Sequence, residues 1–177
     1  MVFADHLHKG FRPPGSKKFR DVLNFYDLRP QDLGPNSITN LCQFQVFCEV
    51  YLQTAPTVLL FHEFFYINHQ TKFTDGPSIE LGGVSIQRRR NTPFPKAKLA
   101  SHPKGWNKTW FYCKSTAPQG ENPLPGYRPD RLNAIVAFSG WPSTKERKQF
   151  TPIYSKIRAL VANGLTGIDL TRCWVSW

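Results

Sequence analysis

In the stretch SKKFRDVLNFYDL, apolar residues fall at Phe19, Val22, Leu23 and Tyr26, the three- and four-residue spacing of a helix that buries one face. Ser16 stands where an N-cap would satisfy the first free amides of that helix. In DLGPNSITNLCQFQVFCEVYL, Gly34-Pro35 marks a stop and Asn36 or Ser37 a cap, and the helix that follows is apolar on nearly every side, the mark of a central position. Pro56 opens a third segment through Val58, Leu59, Phe61, His62, Phe64 and Phe65, read here as a helix although so aromatic a run also suits a buried strand.

The period then shortens. SIELGGVSIQRRR sets two β-prone runs around Gly82-Gly83, a dipeptide suited to a tight hairpin turn, and KTWFYCKS, Lys108 to Ser115, is a further strand. APQGENPLPGYRPDR, Ala117 to Arg131, holds four prolines and two glycines, too many for a regular element, and reads as a connector. Beyond it, KERKQFTPIYSKIRALVANGLTG predicts a helix with Ile153, Ile157, Leu160 and Val161 on one side and Gly164 as its stop, followed by a short helix over about Thr166 to Trp174. The pattern predicts an α+β fold, mostly helical, with a small antiparallel β-sheet in the middle of the chain, about Ser78 to Ser115. Residues 1–116 form a helical layer plus the sheet, 117–131 the Pro/Gly-rich connector, and 132–177 a C-terminal helical pair docked on the same domain.

At 177 residues, 40% hydrophobic and 14% aromatic with fourteen Phe, the chain can build an aromatic-rich core. Its net charge of +11 favours a polyanionic partner, because Lys and Arg displace counterions from phosphates. Cys42, Cys48, Cys113 and Cys173 lack CxxC spacing, and the start MVFADHLHKG lacks the apolar core of a signal peptide, so free thiols and an intracellular location, nucleus or cytoplasm, are expected. The run VLLFHEFFYI is interrupted by His62 and Glu63 and falls short of the ~20 residues a membrane span needs.

Catalytic signals are sparse. The acids, Glu49, Glu63 and Asp169 among them, are scattered, with no DxD or DxE pair to seed a two-metal centre and no phosphate-binding glycine loop. No catalytic residue, cofactor or small-molecule substrate is therefore expected, and a metal-dependent nuclease is the alternative that sequence spacing leaves open. Neither Cys42 and Cys48 nor His62 and His69 have zinc-finger or zinc-knuckle spacing, and His6 and His8 fall in an N-terminus expected to be loose, so no metal site is expected.

The stretch from Gln87 to Tyr112 has seven lysines and arginines, no acid and five aromatic rings. Arg88, Arg89, Arg90, Lys96, Lys98, Lys104 and Lys108 are the candidate phosphate contacts, with Trp106 and Trp110 as candidates for stacking on unpaired bases. The competing expectation is that alternation buries one of the sets Trp110/Tyr112 and Phe111/Cys113; aromatics are expected mostly inward and the basic side chains outward. The C-terminal pair also fits a helix-turn-helix, although IDLTRCWVSW offers only Thr171 and Arg172 as base readers. Non-specific RNA or DNA binding leads, and a protein-interaction or self-assembly module forming homo-oligomers is the alternative.

In order, HKGFRPPGSKKFRDVLNFYDLRPQDLGPNSI, FQVFCEVYL, GWNKTWFY and PIYSKIRALVANGLTG resemble the plant gypsy-type transposon domain, also called transposase-like or gag-like, of grass retrotransposons. The specific parts are Gly10, Phe11 and Pro13; Leu33, Pro35 and Asn36; Cys48 and Glu49; and Gly105, Trp106, Trp110 and Phe111. Gln53 stands where the family tends to have glycine, and Leu59-Leu60 where it has Leu-Trp. Family members continue past the GLTG helix, so a truncated copy with Trp174 and Trp177 at an exposed end is expected. The resemblance implies a gag-like structural role, packaging element RNA or self-assembling, without assigned catalytic residues.

Overall fold

The computed structural model describes residues 1–72, 79–99, 104–114, 117–125 and 140–175. It begins with a short strand, β1 (Val2–Phe3), and a helix, α1 (Ala4–His8). The N-terminus is thus not loose, because Val2 and Phe3 pair antiparallel with Phe111 and Trp110, and Val2, Phe3 and Phe11 are buried. That anchor lies far along the chain, beyond the reach of local sequence signals.

Helix α2 (Lys17–Phe25) follows the apolar spacing: Ser16 accepts from the amide of Phe19, and Phe19, Val22 and Leu23 are buried. A 3-10 turn at Pro30–Asp32, closed by a buried Arg29–Asp32 ion pair, leads into α3 (Pro35–Val46). This helix starts two or three residues earlier than predicted, with Gly34 as N-cap and Pro35 in the first position, where a missing N–H costs nothing. Its axis continues into wider π-helical turns, Phe47–Leu52, which end where Gln53 takes a left-handed conformation at φ 51°.

Both readings of the aromatic run hold in succession. Helix α4 (Val58–Phe64), capped by Thr57, passes without a loop into strand β2 (Phe65–Lys72). β2 pairs antiparallel with β3 (Ile79–Arg88), so the sheet begins at Phe65, earlier than Ser78. Gly82-Gly83 is not the hairpin turn. Between the pairs His69–Val84 and Thr71–Glu80, Gln70 alone faces Leu81, Gly82 and Gly83, a bulge inside β3. A Cβ on Gly83 would sit 3.2 Å from the carbonyl oxygen of Asp32, so the glycine lets the 3-10 turn approach the sheet. Strand β4 (Trp110–Phe111) joins β1 instead of this sheet, giving, among the described residues, two two-stranded antiparallel sheets in a mostly helical α+β fold.

The core is a Phe cluster. Phe61 stacks on Phe65 with centroids 5.0 Å apart, Phe44 meets Phe61 edge-on at 5.3 Å, and Phe94 lies 4.9 Å from Phe65 and 5.0 Å from Phe47. The first part of the predicted connector is tied to α2: buried Arg20 pairs with Glu121 and donates to the Asn122 carbonyl, and Asn24 donates to the Pro123 carbonyl. Residues 126–139 lie outside the described residues, as does Trp177, and with them part of the predicted connector.

The single helix read from Lys145 onward is two. α5 (Thr144–Lys148) ends before Phe150, and α6 (Thr151–Ala162) restarts with Pro152 in its first turn. Ile157 is buried, Val161 is exposed, and Gly164 at φ 95° ends the helix as expected. Helix α7 (Gly167–Val175) packs on α3, where Gln43 donates to the Thr171 hydroxyl at 2.9 Å. Gly167 is pressed so closely against residues 96–97 that a Cβ there would lie 2.4 Å from the Ala97 nitrogen.

Candidate nucleic-acid interface

Strand β3 ends in the basic stretch, and the fold sorts its side chains one by one. Arg89 is only 4% exposed. Its Nε donates to the carbonyls of His62, at 3.0 Å, and Phe65, at 3.1 Å, and its Nη2 to that of Gly140; its guanidinium lies 4.3 Å over the Trp141 ring. Arg89 therefore leaves the set of phosphate contacts: backbone carbonyls and an aromatic face occupy it inside the protein. Arg88 is half-buried and donates to the carbonyls of Thr92, at 3.3 Å, and Phe94, at 3.4 Å, folding the segment back so that Phe94 enters the core. Arg90, Lys96, Lys98, Lys104 and Lys108 are exposed.

Arg88, Arg90 and Lys96 come together along one cleft of about 450 Å³. Polar side chains line it from Asn36, Ser37, Asn40 and Gln43 of α3 and Ser85 and Gln87 of β3, beside apolar Ile86, Phe94, Pro95, Ala97 and Leu99. The polar lining is held in place, since Asn40 donates to the Ile86 carbonyl at 2.8 Å and the Ser37 hydroxyl accepts from the Ile86 amide at 2.9 Å. A row of amides and hydroxyls below guanidinium and ammonium groups suits phosphate oxygens and sugar hydroxyls. Spacing along the sequence pointed to the cations but not to the amides, which belong to a helix some fifty residues earlier.

The two stacking candidates part company. Trp106 turns inward, edge-on to Phe3 at 4.9 Å and 6.0 Å from the His6 ring, whereas Trp110 is 48% exposed. Tyr112, not singled out for stacking from the sequence, is 79% exposed and lies 5.3 Å from Trp110. Phe111 and Cys113 pack on the core, so of the two alternating sets Trp110/Tyr112 is the outward one. The expectation of inward aromatics and outward charges fails at Trp110, Tyr112 and Arg89.

Helix α7 does not present the helix-turn-helix reading surface: Thr171 bonds to Gln43 and to the Gly167 carbonyl, and Leu170 is buried. Arg172 is exposed.

Among the described residues, Glu49, Glu63 and Asp169 do not converge. Glu63 is buried and bound by Arg147 Nε at 3.1 Å and by the Tyr154 hydroxyl; burial raises its carboxyl pKa against the pull of Arg147. Glu49 is exposed and accepts from Gln45, and Asp169 caps the turn at Thr166. Burial pushes the Cys42 thiol up to about 12 and raises that of Cys48 as well, which keeps both protonated at neutral pH. Cys42, Cys48 and Cys113 are free thiols. Among the described residues, no cluster of three His, Cys, Asp or Glu side chains could hold a metal ion, and no helix is long and apolar enough to cross a membrane.

Searches of curated proteins and of solved structures find no match. Residues 1–69 match the model of a protein family described as "Putative gypsy type transposon". Within the matched span, Gly10 has φ 98°, Pro35 opens α3, Phe11, Leu33 and Cys48 are core residues, and Glu49 is exposed. Over residues 1–69, therefore, the chain is similar to the gypsy-type transposon family.

Proposed function

We propose that this protein is a non-enzymatic, gag-like component of a gypsy-type element that binds RNA or DNA without sequence preference through its basic face. The observation that carries this reading is the cleft in which Arg88, Arg90 and Lys96 flank a fixed row of amides and hydroxyls, with Lys98 exposed two residues beyond. Contacts of that kind neutralise phosphates and read no bases. The test is binding of the protein to single-stranded RNA and to duplex DNA over a salt series, repeated with Arg90, Lys96 and Lys98 changed to Ala. Log affinity should fall linearly with log salt, and the triple variant should lower the slope by about 2 to 3, since each phosphate contact contributes roughly 0.7–0.9. Arg89 is left in place because its substitution would damage the fold. No binding at low salt, or an unchanged slope in the variant, rules the reading out.

A second reading, self-assembly, is favoured by a separate apolar groove of about 530 Å³ lined by Phe25, Val58, Leu59, Trp141 and Pro142. Sedimentation should then show concentration-dependent association that survives high salt and is lost in Phe25→Ser. A monomer at every concentration removes it.

A further inference from the structure

Among the described residues, the outward side chains of the segment after Asn107 form a row. Trp110 and Tyr112 are exposed, Lys108 and Lys114 are exposed on either side of them, and Phe111 and Cys113 between them pack on the core. From Trp110 to Lys114 exposure alternates residue by residue, the two-residue period of extended chain, and Lys108 precedes it in a bend. The backbone beneath is held: Val2 and Phe3 pair with Phe111 and Trp110, and the Ala4 amide donates to the Thr109 carbonyl at 3.0 Å. The two rings meet edge-to-face at 78°, each bracing the other and leaving ring surface to solvent.

Apolar rings left this open in a chain that buries most of its phenylalanines call for an occupant. No acid occurs between Glu80 and Glu121, so an anionic partner meets no repulsion from this stretch of chain. A flat, π-rich, anionic occupant is a nucleobase on its phosphate chain. In a duplex the bases already stack on one another, and their faces are closed to a protein ring; in a single strand they are open. Stacking is tolerant of sequence because every base has a π-face.

We propose that Trp110 and Tyr112, flanked by Lys108 and Lys114, form a stacking site for unpaired bases, so that the nucleic acid this face takes is single-stranded. The proposal rests on the nucleic-acid reading above and deepens it: the cleft supplies phosphate contacts common to both forms, and the aromatic row selects the unpaired one. Tyr112 is a binding residue here, and Trp106, turned onto Phe3 and His6, is not.

The test compares an oligo(U) 12-mer with a duplex RNA of equal length, for the wild type, for Trp110→Ala/Tyr112→Ala and for Trp110→Phe/Tyr112→Phe, each over a salt series. The Ala pair should weaken oligo(U) binding by about tenfold or more, leave duplex binding within twofold, and leave the salt slope unchanged because no phosphate contact is removed. The Phe pair, which keeps ring faces, should retain most of the affinity, and thermal melting should confirm that both variants fold. If the wild type binds but the Ala pair loses nothing, or loses single strand and duplex equally, the stacking site is overturned and the cleft reading stands. If the Ala pair instead abolishes self-association without touching RNA binding, the face is a contact between copies and the proposal is wrong. If the wild type binds neither form at low salt, the cleft reading falls and this one with it.

Discussion

His6 is fully buried, its Nε2–H donating to the Leu33 carbonyl at 2.9 Å while Nδ1 has no hydrogen-bond partner, and its ring is wedged between Phe3 and Trp106. Burial lowers its pKa from 6.5 to about 4, outweighing the Leu33 bond and the nearby Asp5 carboxylate. The fold therefore holds the neutral ring, and between pH 6.5 and 4 the unfolded chain takes up a proton that the folded chain refuses. Stability should fall by about 3 kcal/mol across that window as pH drops, at 1.36 kcal/mol per unit, and level off below it. Thermal melts at stepped pH should show the fall in the wild type and a shallower one in His6→Gln. Glu63 makes a different prediction: Glu63→Ala removes the acceptor shared by Arg147 and Tyr154 and should cost about 3 kcal/mol, read as a drop in denaturation midpoint with faster hydrogen exchange in α5 and α6. Neither network was legible in the sequence. Its alternation correctly put Trp110 and Tyr112 on one face and Phe111 and Cys113 on the other, but could not say which face the core would take, because that was decided by Val2 and Phe3 arriving from the other end of the chain.

At the scale of elements, helices were readable where their signals were local. Ser16, the spacing of α2 and the stop at Gly164 all act within a few residues, and each was placed correctly. Strand pairing was not readable, because Gly82-Gly83 has the composition of a turn and the position of a bulge, and only contact with Asp32 tells the two apart. The break between α5 and α6 was missed because the apolar spacing runs on through Phe150 and Ile153, while Pro152 restarts the backbone without interrupting that face. The junction of α7 with residues 96–97 gives a sharp test. Gly167→Ala sets a methyl group against backbone that cannot swing aside, so it should destabilise the fold by about 1–3 kcal/mol and loosen the Lys96 wall of the cleft. Ile168→Ala, next to it but exposed, should leave the melting temperature nearly unchanged.

The molecule as a whole is more than the segment that the family model matches. Residues 1–69 supply Phe44, Phe61, Phe64 and Phe65, but Phe94 and Ile157, and the strand that pairs with β2, come from later in the chain. A fragment ending at residue 69 should therefore lack cooperative unfolding and near-ultraviolet dichroism, whereas the full chain shows both. The basic cleft was legible only as a charge count until α3 brought its amides alongside. The direct passage from α4 into β2 at Phe64–Phe65 sets a rule for how such a sequence can change over time. One residue inserted there would turn the helix by about 100° relative to the strand and move every later side chain of β2 to the opposite face. Related sequences can drift in spelling at that point, but insertions and deletions there should be purged, and the spacing from Thr57 to Thr71 should be the most length-invariant stretch among relatives that still fold.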